Sequence, residues 1–186
     1  YCNPARPSTH IVCPGNHRRW EFMVMPGEEP ASLLAEDRLW DLLSPWLAPG
    51  QGELWRAAAY RFHALIAQRW RRGRVLLAGD AAHQTPPFMG QGMCQGIRDV
   101  GNLAWKLTRV VQGSADARLL DSYEAERAPH VEETTAMAKR LGLLVSELDL
   151  MKAQARDHAL MARGGGTAPV MVRQDMIPGL KAGLIA

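Results

Sequence analysis

The chain has 186 residues, 47% of them hydrophobic, and a formal charge of +3 at pH 7. This length buries a real core and favours one domain or parts of two. The small charge, with Arg69, Arg71, Arg72 and Arg74 clustered only around Trp70, argues against the broad basic face that a nucleic-acid partner requires.

Residues 10–25, HIVCPGNHRRWEFMVM, predict two short strands around Pro-Gly-Asn, with Ile11 and Val12 before the turn and Trp20, Phe22 and Val24 alternating after it. Residues 31–47 place Leu33, Leu34, Trp40, Leu43 and Leu47 at helical spacing, with Pro45 disturbing the end. Residues 53–70 read as extended, broken near His63 into two strands or a bent one. Val75–Ala78 then predict a buried strand ending at Gly79-Asp80, followed by an irregular segment, Ala81–Gln91. A long amphipathic helix comes next, with Met93, Ile97, Val100, Ala104, Leu107 and Val111 as its buried stripe and Gly113 as its stop. Ser114 is a good N-cap for a further helix carrying Leu119, Leu120 and Tyr123, which Pro129 interrupts. The helical period resumes through Val131, Ala138, Leu141, Val145 and Leu148, and the chain from Gly164 onward reads as loop-rich. The longest apolar runs fall far short of the roughly 20 residues that cross a bilayer, so no membrane is expected. Cys2, Cys13 and Cys94 form no C-x-x-C pair and are odd in number, which fits a reducing cytoplasm.

The most informative stretch is RVLLAGDAAHQTPPFMGQGMCQGIRDVGNLAWKL, residues 74–107. Asp80 stands at the carboxyl end of an apolar run, where open α/β sheets bind ligands. A carboxylate there suits sugar or polyol hydroxyls; the alternative is that it only caps the following turn. Gly90, Gly92 and Gly96 have G-x-G-x-x-x-G spacing after a Pro-Pro loop, so the dinucleotide fingerprint is not met. What the glycines do allow is close approach of backbone to a flat ligand, with helix N–H groups near Met93 at a positive dipole end, or else a turn built for close helix packing. Gly92-Met-Cys94-Gln-Gly96 also matches a nucleophile elbow, which would make a hydrolase with His130 or His158 as base. That elbow needs a strand directly before it, and residues 84–91 cannot supply one. His10 and Cys13 lack a second pair at metal-ligand spacing. His83 reads as a hydrogen-bonded loop histidine, and Trp55 and Trp105 as core or interface.

Residues 73–107 strongly resemble the second flavin-binding motif of the FAD-dependent aromatic-ring monooxygenases, the class containing para-hydroxybenzoate hydroxylase. Gly79-Asp80, Ala81-Ala82-His83, Pro86-Pro87, Gly90-x-Gly92 and the helix bearing Asn102, Leu103, Trp105, Lys106 and Leu107 occur in order. With SYEAERAPH downstream and HIVCPGNHRRWEFMVMPGE upstream, the chain is most similar to the 3-(3-hydroxyphenyl)propionate hydroxylase branch.

The resemblance implies an α/β fold, α+β in its mixture: part of an FAD/NAD(P)-binding domain with strands of a substrate-binding β-sheet and C-terminal helices. Residues 1–70 would belong to the substrate sheet, 71–128 to the FAD-binding domain, and 129–186 to a helical extension. It implies that Asp80, following Gly79, bonds the FAD ribitol. Pro87 with the Phe88–Met89 backbone would line the ring, and Gly90 and Gly92 would give access to it. Gly92, Met93 and Cys94 would offer amides to the pyrimidine edge. Trp20, Phe22, Met23 and His63 become pocket candidates. The implied reaction hydroxylates a phenolic acid with NAD(P)H and O₂ through a C4a-hydroperoxyflavin; other phenols, polyketides or quinone precursors are alternative substrates, and a homodimer is left open. The family's N-terminal G-x-G-x-x-G unit and middle Asp-Gly motif are absent, so the chain reads as the carboxyl-terminal portion of such an enzyme, or as a non-catalytic partner module.

Overall fold

The structure, a computed structural model, describes residues 1–167 and 176–181. The remainder of the loop-rich tail expected after Gly164 lies outside the described residues. Two compact units emerge, one from Tyr1–Arg61 with the chain from Leu143 to Thr167, the other from Phe62–Gly142 with residues 176–181.

In the first unit the expected hairpin forms. Strand β1 (Ser8–Val12) pairs antiparallel with β2 (Arg18–Phe22), setting His10 opposite Trp20 with their rings stacked at 4.7 Å. The helix expected over 31–47 is shorter, a single 3₁₀ turn at Ser32–Leu34 followed by α1 (Glu36–Leu43), with Leu33 and Leu43 buried. Pro45 has no N–H for the Asp41 carbonyl, which instead accepts from the amide and hydroxyl of Ser44. At the far end of the unit, α4 (Leu150–Arg163) starts at Asp149, whose side chain accepts the Lys152 amide.

The second unit holds only small ladders. Strand β3 (Leu65–Ile66) pairs with β6 (His83–Gln84), and β4 (Arg71–Arg72) with β5 (Val75–Leu76). The strands expected across 53–70 thus reduce to β3. The expected buried strand Val75–Ala78 reduces to β5, with Val75 exposed. A buried strand needs neighbours on both sides, and among the described residues β5 has only β4. The mixture of helices with small sheets agrees with the expected α/β class. The core gathers Trp70, Ala82, Tyr123 and Val131, with Ile66, Leu76, Leu77 and Leu103 packed on it.

Helix α2 (Gly92–Val111) ends as expected at Gly113, which takes φ +70°. Its buried face, however, is the opposite of the one expected. Met93, Ile97 and Val111 are 77%, 61% and 78% exposed, and Val100, Ala104 and Leu107 are exposed too, whereas Gln95, Asp99, Asn102 and Lys106 are buried. Both sets recur at three- and four-residue spacing, so periodicity alone could not tell which face has a partner. That partner is α3 (Asp121–Val145), whose Glu126 and Arg127 bond the polar set.

Helix α3 runs unbroken through Pro129, contrary to expectation. The lost hydrogen bond concerns the Ala125 carbonyl, and since Ala125 and Pro129 both lie on the exposed side, water can satisfy it. The start also differs. Asp116, rather than Ser114, caps a 3₁₀ turn at Ala117–Leu120 by accepting the Arg118 amide, and α3 follows directly.

Candidate functional site

Asp80 sits in a 3₁₀ turn, Gly79–Ala81, that opens with Gly79 at φ +58°, a conformation open to glycine at little cost. Gly79 and Gly96 lie against each other: a Cβ on Gly96 would stand 3.5 Å from the Gly79 Cα. The Asp80 side chain points outward, exposed and hydrogen-bonded to no described residue. It does not act as the turn's side-chain cap.

The chain then passes buried Pro86 and exposed Pro87 into a second 3₁₀ turn, Pro87–Met89, closed by the Gly90 amide on the Pro87 carbonyl at 2.8 Å. Met89 is buried, and the Phe88 ring meets Phe62 edge-on at 5.4 Å. Gly90 takes φ +59°, turning the backbone into α2. No side chain caps α2, and the earliest amide bonded into it is that of Gln95, on the Gln91 carbonyl at 2.8 Å. The amides of Gly92, Met93 and Cys94 therefore remain as donors at the positive end of a 20-residue helix.

Beneath this surface lies a polar network that sequence reasoning missed. The Asp99 carboxylate is fully buried and accepts from the Gly79 amide (2.9 Å), His83 Nε2 (2.7 Å) and Arg127 Nε (2.8 Å). Arg127 also donates to Gln95 Oε1 (2.7 Å) and to His130 Nδ1 (2.8 Å). Two turns along, Lys106 Nζ donates to Glu126 Oε2 (2.7 Å) and Asn102 Oδ1 (2.8 Å). The signal was available: Gln95, Asp99, Asn102 and Lys106 step by four, three and four residues. His83, expected as a hydrogen-bonded loop histidine, is hydrogen-bonded but lies in β6 rather than in a loop.

Since a guanidinium can only donate, His130 Nδ1 must be an unprotonated acceptor and Nε2–H donates to the Pro178 carbonyl at 2.8 Å. Burial first, then the Arg127 charge, lower the His130 pKa. For Asp99, burial alone would raise the pKa, yet the bonds from His83, the Gly79 amide and Arg127 together hold it below the usual value. The unfolded chain takes up a proton on His130 below about pH 6.5 while the folded chain resists, so stability falls as pH drops from there. Asp99 adds a second loss below about pH 3.9 as it is forced to protonate. Thermal melts should show Tm falling between pH 7.5 and 5.5, with His130→Gln, which keeps one acceptor and one donor, flattening that segment.

Cys94 is half-buried in the first turn of α2, preceded by a 3₁₀ turn instead of the strand an elbow needs. His130 has both ring nitrogens engaged and His158 is exposed on α4, so no nucleophile–base pair forms with Cys94 among the described hydrogen bonds. In the first unit Trp20 stacks on His10, Phe22 lies 5.8 Å from Trp46, and Met23 is half-buried; His63 is exposed in the second. Among the described residues, no cluster of metal-binding side chains forms and no helix is long and apolar enough to cross a membrane.

An unengaged carboxylate on a glycine turn, an exposed proline and an uncapped helix N-terminus thus follow one another along residues 79–94. Residues 18–138 match the family model described as FAD binding domain, and the chain belongs to that family. It is 41% identical over 186 residues to a probable NADH-specific resorcinol 4-hydroxylase of Rhodococcus jostii, covering all of this chain and 34% of the relative. It is 40% identical over 160 residues to a 3-(3-hydroxy-phenyl)propionate/3-hydroxycinnamic acid hydroxylase of Burkholderia cenocepacia, covering 86% of this chain and 30% of the relative. The chain thus spans about a third of the length of these curated relatives. Among solved structures it resembles p-nitrophenol 4-monooxygenase of Pseudomonas putida (TM-score 0.66, 32% identity, 80% of this chain and 38% of that one). It shares its fold with the flavin-dependent monooxygenase PieE (TM-score 0.70, 22% identity, 94% of this chain and 28% of that one).

Proposed function

We propose that this chain supplies the polyol- and ring-binding side of the FAD site in a flavin-dependent aromatic hydroxylase. The substrate would be a phenolic aromatic acid such as 3-(3-hydroxyphenyl)propionate, with NAD(P)H and O₂ as co-substrates. The observation that carries this reading is the unengaged Asp80 carboxylate beside the uncapped start of α2. Asp80 accepts hydrogen bonds from ribityl hydroxyls, and the conformation of Gly79 aims it outward. Exposed Pro87 and the Phe88–Met89 backbone form a rigid wall for the ring, while Gly90 and Gly92 leave room for contact. The Gly92, Met93 and Cys94 amides would donate to the edge of the ring where negative charge gathers on reduction, which the helix dipole would favour. When bound, the flavin would supply the transfer of one oxygen atom from O₂ to the phenol at the expense of NAD(P)H, with the second oxygen leaving as water.

The named relatives act, by their names, on resorcinol and hydroxyphenylpropionate, and their shared feature, a phenol ring, is the substrate class proposed. Residues 1–70 would shape the substrate sheet, 71–128 the FAD-binding part and 129–186 the helical extension. Free Cys2, Cys13 and Cys94 suit a cytoplasmic setting, and a homodimer is compatible with this reading.

Titrating FAD into the protein tests this directly through fluorescence quenching. Asp80→Ala should weaken binding by about 1–3 kcal/mol, the scale of a lost bond to a charged group, or roughly 5- to 150-fold in Kd. Unchanged affinity would remove Asp80 from the site.

A further inference from the structure

We infer that Asp99 is a positioning residue that fixes the distance between the Asp80 turn and the open amides of α2; this rests on the flavin reading above. The two halves of that site belong to different elements, and the chain between them, residues 82–91, holds only the two-residue β6 and a single 3₁₀ turn. Contiguity in sequence cannot hold them in register. What joins them is one carboxylate, lying two turns into α2 and bonded to the backbone amide of Gly79 at 2.9 Å, directly before Asp80. Its remaining capacity is taken by His83 Nε2 and Arg127 Nε, so Asp99 cannot turn away from the loop without breaking buried bonds to β6 and α3. The facing Gly79 and Gly96 set the other limit, since backbone meets backbone there without side chains. A tether on one side and bare contact on the other leave the Asp80 turn one distance from the helix.

Asparagine at this position keeps the shape but presents N–H groups to partners that are themselves donors. In flavin-reconstituted protein, Asp99→Asn should raise the Kd for FAD at least tenfold and shift the visible absorption and circular dichroism of the flavin that binds. Glu126→Gln, the same carboxylate-to-amide change in the neighbouring buried pair, should lower stability while leaving the spectrum of bound flavin as in the wild type. Wild-type affinity and spectrum in Asp99→Asn would overturn the inference. So would parallel changes in both variants, which would make Asp99 merely structural. If Asp99→Asn does not fold, Gly96→Val tests the same spacing, because it adds a branched side chain where a Cβ alone already stands 3.5 Å from the Gly79 Cα. Altered flavin spectra there support the inference, and unaltered ones overturn it. Full FAD affinity in Asp80→Ala, or no binding to the wild type, would overturn the reading of the site itself and this inference with it.

Discussion

Replacing Lys106 or Glu126 with alanine is expected to lower the free energy of unfolding by about 3–5 kcal/mol, the cost of leaving one member of a buried ion pair unpaired. Both side chains are fully buried, and the ammonium is shared between Glu126 Oε2 at 2.7 Å and Asn102 Oδ1 at 2.8 Å. A typical domain has only about 5–15 kcal/mol to lose, so either variant removes a large part of it. The pair itself adds little net stability, because desolvating two charges offsets most of their attraction. Lys106→Met combined with Glu126→Leu should therefore recover most of what either alanine loses, short of the cost of stranding Asn102. Urea denaturation midpoints decide the matter. A double variant still as unstable as either single would show that the pair is strongly favourable, and one as unstable as their sum would show that the two side chains are not coupled.

Trp70→Ala should cost a comparable 3–5 kcal/mol or so. The ring is buried in the core between Tyr123, edge-on at 5.5 Å, and His83 at 5.3 Å, and its loss opens a cavity there. Trp70→Phe is the informative companion. The indole Nε1 is buried without an acceptor among the described residues, and an orphaned buried donor costs on the order of 1–3 kcal/mol. Phenylalanine gives up apolar area but removes that orphan, so its net cost should be well under half that of alanine. A phenylalanine variant as unstable as the alanine one would mean that the indole nitrogen has a partner.

The local signals in the sequence were the reliable ones. Pro-Gly-Asn between alternating strands gave the β1–β2 turn, and Gly113 marked the end of α2, because both depend on backbone conformations that neighbours can specify. Pro129 misled because intrinsic propensity yields to a long buried face, Tyr123 through Gly142, that holds α3 together across it. The α2 stripe misled for a deeper reason. Hydrophobic periodicity assumes that the apolar face is the buried one, and here ion pairs to α3 claimed the polar face instead. The same substitution of polar for apolar hid Asp99 and Arg127, whose roles rest on contacts 28 residues apart in sequence. In contrast, the local geometry at Asp80, Pro87 and the Gly92–Cys94 start of α2 was legible, since an exposed carboxylate after a glycine turn, an exposed proline and an uncapped helix start depend on neighbouring residues alone.

The most direct test of the flavin site is an amide chemical-shift map of ¹⁵N-labelled protein during FAD titration. The account predicts that the Asp80, Gly92, Met93 and Cys94 amides shift together and saturate at one Kd, with Asp80→Ala moving that Kd upward. Saturable FAD binding that leaves these four amides unmoved while others respond would contradict it.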